Sequence, residues 1–300
     1  MTKFSKPIIE IIPDRFSCRT YLEKAIPPDM LTFLEEFLST HSSGPFGFQP
    51  HLKLIAASDQ NLKSLRGLGT YGFIRGATAF LVGVSCSEKH SLEDYGFLME
   101  QFILAATDLG LGTCWLGGSF TRNTFGRKLH IQKGEEIPAV IAIGIMTDPE
   151  KARNGFIRQQ AGSHHRREWD RLFFDNEFGT PLTAEAAGKY AIPLQMVRMG
   201  PSASNKQPWQ IIRTGTDWHF YLRRTEGYRA GMLNRALKIA DLQRLDIGIA
   251  MCHFELTARE LGLKGKWSVK EADIKKPENL IEYSVTWSEE AGKDKGSPCA

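Results

Sequence analysis

Cysteine is scarce in this 300-residue chain. There are five, Cys18, Cys86, Cys114, Cys252 and Cys299, an odd number with no pair at Cys-x-x-Cys spacing. That argues against a disulfide framework and reads as a reduced, cytoplasmic setting. Long hydrophobic runs are missing too. The longest, IPAVIAIGIM from Ile137 to Met146, falls well short of the roughly 20 residues that cross a bilayer, so it reads as a buried strand and no membrane partner is expected. The opening MTKFSKPIIEIIPDRFSCR has neither an apolar core nor a small-residue cleavage site, and no signal peptide is expected. No Gly-x-Gly-x-x-Gly follows a strand-like run, which argues against a separate Rossmann nicotinamide domain. Nor does one sign of charge dominate: 38 Lys and Arg face 34 Asp and Glu, a net +4 that suits a small anionic ligand without calling for nucleic acid. The one basic cluster, HHRREWDR, is short and mixed with acids. Its His164-His165 pair has no partner at ligand spacing, so no metal site is expected.

What the chain does have is repetition. Its length suggests about two domains at roughly 150 residues each. DYGFLMEQFILAATDLGLGTCW (Asp94 to Trp115) aligns without gaps on DIGIAMCHFELTARELGLKGKW (Asp246 to Trp267), with 10 of 22 positions identical. Both copies carry apolar residues at helical spacing and end in Leu-Gly-Leu, where Gly110 and Gly262 are placed to close a helix. Upstream, FGFQPHLKLIAA matches ASNKQPWQIIRT, with Gln49-Pro50 over Gln207-Pro208. Downstream, IPAVIAIGI corresponds to NLIEYSVTW. Each unit therefore reads as a helix, a Gln-Pro turn, a strand, a long buried helix and a further strand. In the second unit WQIIRTGTDWHFYLRR reads as a hairpin, and GMLNRALKIADLQRLDIGIAMCHFELTARELG as continuous helix. The fold class is α+β, with mixed sheets flanked by long helices. The repeats are placed at residues 1–165 and 166–300, with the polar stretch 147–180 as connector. A pseudo-twofold dimer within one polypeptide is the expected arrangement, with tandem independent domains as the alternative.

The two units carry different chemistry. In DRFSCRTY, Arg15, Ser17 and Arg19 alternate. On an extended backbone they share one side, where two guanidiniums and a hydroxyl make an anion site. The second unit has no such arginines. Conversely its loop Ser202-Ala203-Ser204-Asn205 faces a bland GPFGF in the first unit. Gly117-Gly118, after the first unit's helix, allow close approach of backbone N–H groups to a ligand, where the second unit has Val269-Lys270. Each unit thus holds the half that the other lacks, and pseudo-twofold symmetry would join the halves into one site across the interface. Cys18, Cys114 and the tryptophans Trp115, Trp209 and Trp267 read as packing residues, with lining of the pocket as an alternative for Trp209 alone. Tyr71, Phe73 and Arg75 are placed to border the pocket.

RFSCR, PSASNKQPW and LGLGTCWLGGSF resemble three signature regions of the FMN-dependent nitroreductase family, in the subgroup of two fused copies, and the resemblance covers nearly the whole chain. It implies a nitroreductase-like fold and an FMN-dependent oxidoreductase. Hydride passes from NADH or NADPH to FMN and on to a nitro compound, quinone or similar small-molecule substrate. It implies that Arg15 and Ser17 hold the ribityl phosphate and that Arg19 lies near the flavin pyrimidine edge as electrostatic support. Gly117 and Gly118 would approach the central ring, and Ser202, Ser204 and Asn205 would contact the cofactor from the other unit. Arg166 and Arg167 fit the place of a late basic pair on the phosphate, although Glu168 stands where the family has proline. The chain would act as its own dimer, with further pairing left open. The alternatives are a flavin-binding or structural homologue without catalysis and an offshoot with other flavin chemistry.

Overall fold

In a computed structural model of the chain, the described residues are 4–65, 72–86, 88–118, 120–129, 135–148, 165–228 and 240–290. The repeated helical pattern forms two long helices, α3 (Ser91–Asp108) and α7 (Leu242–Glu260), buried along most of their length. Both are covered on nearly every face, with polar side chains such as Glu100 and His253 buried among the apolar ones, so both lie in the core. Each ends as Leu-Gly-Leu predicts. Gly110 and Gly262 take φ of 77° and 75°, and Leu111 and Leu263 donate back to the carbonyls of Ala106 and Ala258. The upstream part of the long helix expected in the second unit, residues 229–239, lies outside the described residues, and α7 begins at Leu242.

The first unit contributes α1 (Ile8–Asp14), α2 (Pro28–Thr40), β1 (His51–Ala56), β2 (Ala79–Val84), α3, β3 (Gly112–Leu116), α4 (Arg122–Leu129) and β4 (Val140–Gly144). The second contributes β5 (Phe173–Asp175), α5 (Ala184–Ala187), α6 (Ala191–Met199), β6 (Trp209–Thr214), β7 (Asp217–Arg223), α7, β8 (Gly265–Ser268) and β9 (Ile281–Glu289). The sheets have matching order, β1-β2-β4-β3 and β6-β7-β9-β8, and each of these neighbours is antiparallel. The hairpin around Gly215 forms as expected, with β6 and β7 paired from Trp209–Leu222 to Thr214–Asp217. Each unit has more strands than its sequence pattern suggested, because β2, AFLVGV, is buried on both faces and lacks the period-two alternation that marks a strand.

The units differ in what they add to this shared plan. β5 pairs parallel with β6, making the second sheet mixed. The first sheet is antiparallel through its strands. The chain after α1 joins its other edge by a parallel bridge between Ser17 and Thr113. Helix α1 itself crosses over: Ile8, Ile11 and Ile12 pack in one core with Trp209, Trp218, Trp287 and Phe254 of the second unit. Glu260 at the end of α7 accepts the N–H of Ile8 at 2.6 Å. No helix among the described residues is long and apolar enough to cross a membrane.

The units meet where α3 crosses α7. Gly96 leaves no room for a methyl group against the carbonyl oxygen of Leu245, and Gly248 leaves none against that of Glu93. Gly96 and Gly248 are equivalent in the repeat, as are Glu93 and Leu245, so the contact is reciprocal in the way of a twofold dimer interface. Backbone that close tolerates no side chain. Gly248→Ala is expected to lower stability by about 1–3 kcal/mol, the range for overpacking a well-filled core. The urea midpoint of the purified variant checks it, and an unchanged midpoint would mean that the helices do not meet at this pair.

Candidate functional site

Arg15 follows the last turn of α1 with an extended backbone, φ −66° and ψ 128°. The chain then runs beside β3, where Cys18 N–H donates to Thr113 O at 2.8 Å, and beside residue 75, where Arg75 N–H donates to Arg19 O at 2.9 Å. Strand alternation turns Arg15, Ser17 and Arg19 into one cavity of about 350 Å3 and Cys18 into the core. The opposite wall comes from the second unit: Ser202, Ala203, Ser204 and Asn205, with Asp246 and the apolar side chains of Leu242, Leu245 and Ile249 on α7. Gly117 and Gly118 line the floor, and a methyl group at Gly117 would overlap the Leu242 side chain. Arg166 completes the cavity as a third guanidinium.

The 202–207 loop holds an unfavourable shape. Ser204, Asn205 and Gln207 have φ of 50°, 52° and 47°, and none is glycine. Hydrogen bonds fix it: Gln207 N–H donates to Ser202 Oγ at 2.8 Å, and Ala203 N–H to Asp246 Oδ1 at 2.9 Å. The side chains of Asn205 and Gln207 both donate to His165 O, at 3.0 and 3.2 Å, while Gln207 Oε1 accepts the Arg167 N–H at 2.9 Å. This locks the segment carrying Arg166, whose guanidinium donates to Met199 O at 3.1 Å and Asn205 Oδ1 at 3.4 Å. Gln207 of the Gln-Pro element thus joins the loop to the late basic pair.

Behind Arg15 is a buried polar cluster. Glu100, fully buried on α3, accepts Trp115 Nε1–H at 2.7 Å, meets His253 Nε2 of α7 at 3.0 Å and lies 3.8 Å from Arg15 Nε. His253 Nδ1 donates to Met196 O at 2.9 Å. Arg15 is nearly buried, and burial pulls its guanidinium below the ordinary value while Glu100 opposes this. Its Nε has no hydrogen-bond partner among the described residues. Cys18 and Cys114 sit alongside as neutral thiols: burial pushes Cys18 up to about 11 and raises Cys114 as well.

Residues 7–258 match a family model described as "Putative TM nitroreductase". The chain belongs to this nitroreductase family. Its fold is similar to that of a "putative nitroreductase" from Thermotoga maritima, with TM-score 0.61 and 20% identity over 96% of both chains. About half of it also overlays two shorter structures. One is a "putative nitroreductase in complex with fmn" from Desulfovibrio desulfuricans, with TM-score 0.39 and 24% identity over 48% of this chain and 89% of that one. The other is a "Nitroreductase with Bound FMN" from Bacteroides fragilis, with TM-score 0.36 and 20% identity over 48% and 90%. Among curated proteins nothing matches the chain.

In this nitroreductase-family chain the cavity gathers Arg15, Ser17, Arg19, Gly117, Gly118, Ser202, Ser204, Asn205 and Arg166. Arg167 is not among the lining residues. Its neighbouring charge is Arg223, and burial and that cation both lower its guanidinium. Phe73 and Arg75 are exposed and away from the cavity lining, and Tyr71 and His164 lie outside the described residues. The lining adds Trp115, Ala139, Pro201 and Asp246. Asp246 had a signal in the sequence, as one of the identities shared by the two helices, but an identical residue at a shared fold position did not by itself mark a pocket wall.

The repeat defines an equivalent crevice of about 410 Å3, lined by Ser43, Gly44, Pro45 and Phe97 with Lys266 and Trp267. No arginine segment enters it. Arg259, its guanidinium, is paired with Glu255 at 2.6 Å. Asp94, the counterpart of Asp246, holds the loop there through the N–H groups of Phe46 and Phe48 at 3.1 and 3.0 Å. Burial pushes the Asp94 carboxyl up to about 6, Phe46 and Phe48 pull the other way, and Glu93 adds to the rise while His90 opposes it. The folded protein therefore keeps a proton that the unfolded chain releases near pH 4, so this group's contribution to stability falls as pH rises from about 4 to about 6. Asp94→Asn cannot ionise. Its Tm relative to wild type is expected to be more favourable at about pH 7.5 than at about pH 4.5 in thermal melts. A difference independent of pH would refute the assignment.

Proposed function

We propose that the chain is an FMN-dependent oxidoreductase of nitroreductase type with one flavin site, in the cavity between the units. The observation that carries this is the convergence of Arg15, Arg19 and Gly117-Gly118 from one side with Arg166 and the strained Ser202–Asn205 loop from the other. The residues fit the cofactor. A partly apolar cavity of this volume takes a planar ring, guanidiniums take a phosphate, and Gly117 leaves that wall without a side chain. The equivalent crevice lacks both the glycine pair and a free guanidinium, which supports a single site per chain.

The chemistry that FMN supplies when bound is acceptance of hydride from NADH or NADPH and its donation to a nitro compound, quinone or similar small acceptor. Arg15 and Ser17 bind the phosphate, with Arg166 adding a further cation. Arg19 provides positive charge where negative charge develops in the pocket. The N–H groups at Gly117 and Gly118 approach the ring without side-chain interference. Ser202, Ser204 and Asn205 close the pocket from the second unit. The repeats at residues 1–165 and 166–300 act as one pseudo-dimer, and the four free cysteines among the described residues suit a reducing compartment.

Three measurements test this. Purified, reconstituted protein is expected to hold one FMN per chain by visible absorbance, and two per chain would end the single-site reading. Anaerobic NADH or NADPH is expected to bleach the bound flavin, whereas a flavin that stays yellow would favour a binding protein without catalysis. Arg15→Ala should weaken FMN binding about 10- to 100-fold, the loss of a charge-assisted contact, and Asn205→Ala by about tenfold. FMN affinity untouched by Asn205→Ala would place the ligand away from the interface.

A further inference from the structure

Asp246 stands near the start of α7, only 3% exposed, and lines the cavity. Its Oδ1 accepts the Ala203 N–H. Its Oδ2 is buried and has neither a hydrogen-bond partner nor an ion-pair partner among the described residues. The chain contains its own control. Asp94 occupies the equivalent position on α3, and there both oxygens are spent on the loop, Oδ1 on Phe46 N–H and Oδ2 on Phe46 and Phe48 N–H. The same residue in the same fold position therefore spends both oxygens on a loop in one unit and, in the other, keeps an unpartnered oxygen on a side chain that lines the cavity. An ionised oxygen buried without a partner is costly, and such a group keeps its proton instead. Burial pushes Asp246 well above the usual carboxylate range, the Ala203 N–H pulls it back, and the negative charge of Asp241 adds to the rise.

We propose that Asp246 is a ligand-binding group of the cavity that donates a hydrogen bond from Oδ2–H to an acceptor atom of the bound molecule. The inference rests on the FMN reading above. It assigns the wall facing Arg15 and Arg19 to the uncharged, acceptor-bearing part of the ligand. A neutral carboxyl can line a pocket for an anion, whereas a carboxylate there would repel it. Arg15, Arg19 and Arg166 are the cations of the same cavity, and Asp241 and Tyr228 are titratable groups that interact electrostatically with Asp246.

The test uses FMN, and riboflavin as the form without phosphate, titrated into wild type and Asp246→Asn by flavin fluorescence, together with infrared difference spectra. Asparagine keeps the Oδ1 acceptor for Ala203 and replaces the hydroxyl with an amide donor. Its FMN Kd is therefore expected to stay within about threefold of wild type. The wild type should show a carboxylic-acid C=O band that shifts when either flavin binds and is missing from Asp246→Asn. A role confined to holding the loop would leave that band in place on binding. An absent band, a band that flavin does not move, or a Kd that tightens at least tenfold in Asp246→Asn would overturn the inference. Wild type that binds no FMN would remove the functional reading itself, whereas FMN binding with an unmoved band would remove only the role of Asp246.

Discussion

Two backbone contacts set the geometry on which the cavity depends: the Leu245 carbonyl against Gly96 and the Glu93 carbonyl against Gly248. With no side chain between them, α3 and α7 meet backbone to backbone. That depth of contact carries Leu242, Leu245 and Ile249 far enough to form a wall against Gly117 and Trp115 of the other unit. A bulkier crossing residue would widen the cavity as well as weaken the interface, because the same helix turns serve both. Packing and site are one constraint here, and α1 extends it by placing its isoleucines in the second unit's core before the chain returns with Arg15.

The charge distribution follows from that placement. Glu100 is deep in α3 and gathers groups from both units, the Arg15 guanidinium at 3.8 Å and His253 Nε2 at 3.0 Å. A buried carboxyl group is tolerable only when its oxygens have hydrogen-bond partners, and Trp115 Nε1–H and His253 Nε2 supply these. Glu100 reaches Arg15 only at ion-pair distance, leaving the Nε of that guanidinium unmatched. The arrangement holds a cation at the cavity wall without neutralising it by direct hydrogen bonding, which is what an anion-binding pocket requires.

Much of this was legible in the sequence because the chain contains two versions of it. The helices, the Leu-Gly-Leu closures and the Gln-Pro turns stand out by self-comparison, and the complementary losses at Arg15–Arg19 and Ser202–Asn205 point to a shared site from the letters alone. What was not legible depends on contacts between residues far apart in the chain. β2 carries no alternation because it is covered on both faces. The positive φ values of Ser204, Asn205 and Gln207 have no glycine to announce them, and they are imposed by bonds to residues 165 and 167. Arg166 and Arg167 are indistinguishable as letters, and only the fold puts one in the cavity lining and the other within the field of Arg223.

The repeat also shows how a single position can serve two ends. Asp94 and Asp246 are the same residue, at the same turn of equivalent helices, each bonded to backbone N–H groups of its own unit's Gln-Pro loop. The difference lies in the loops. In GPFGF the N–H groups of Phe46 and Phe48 both turn to Asp94, and both oxygens are consumed. In PSASN the places of Phe46 and Phe48 fall to Ser204 and Lys206, and Asp246 receives one donor, the Ala203 N–H, where Asp94 receives two. Pro45 stands at the place of Ala203 and has no N–H to give, so the two carboxyls are met by different backbone groups. Ser202, replaced by Gly44 in the first unit, closes its own turn by accepting the Gln207 N–H. The same acid at the same helix position is thus held by whichever N–H groups its loop presents, and the second loop leaves Oδ2 without a donor among the described residues.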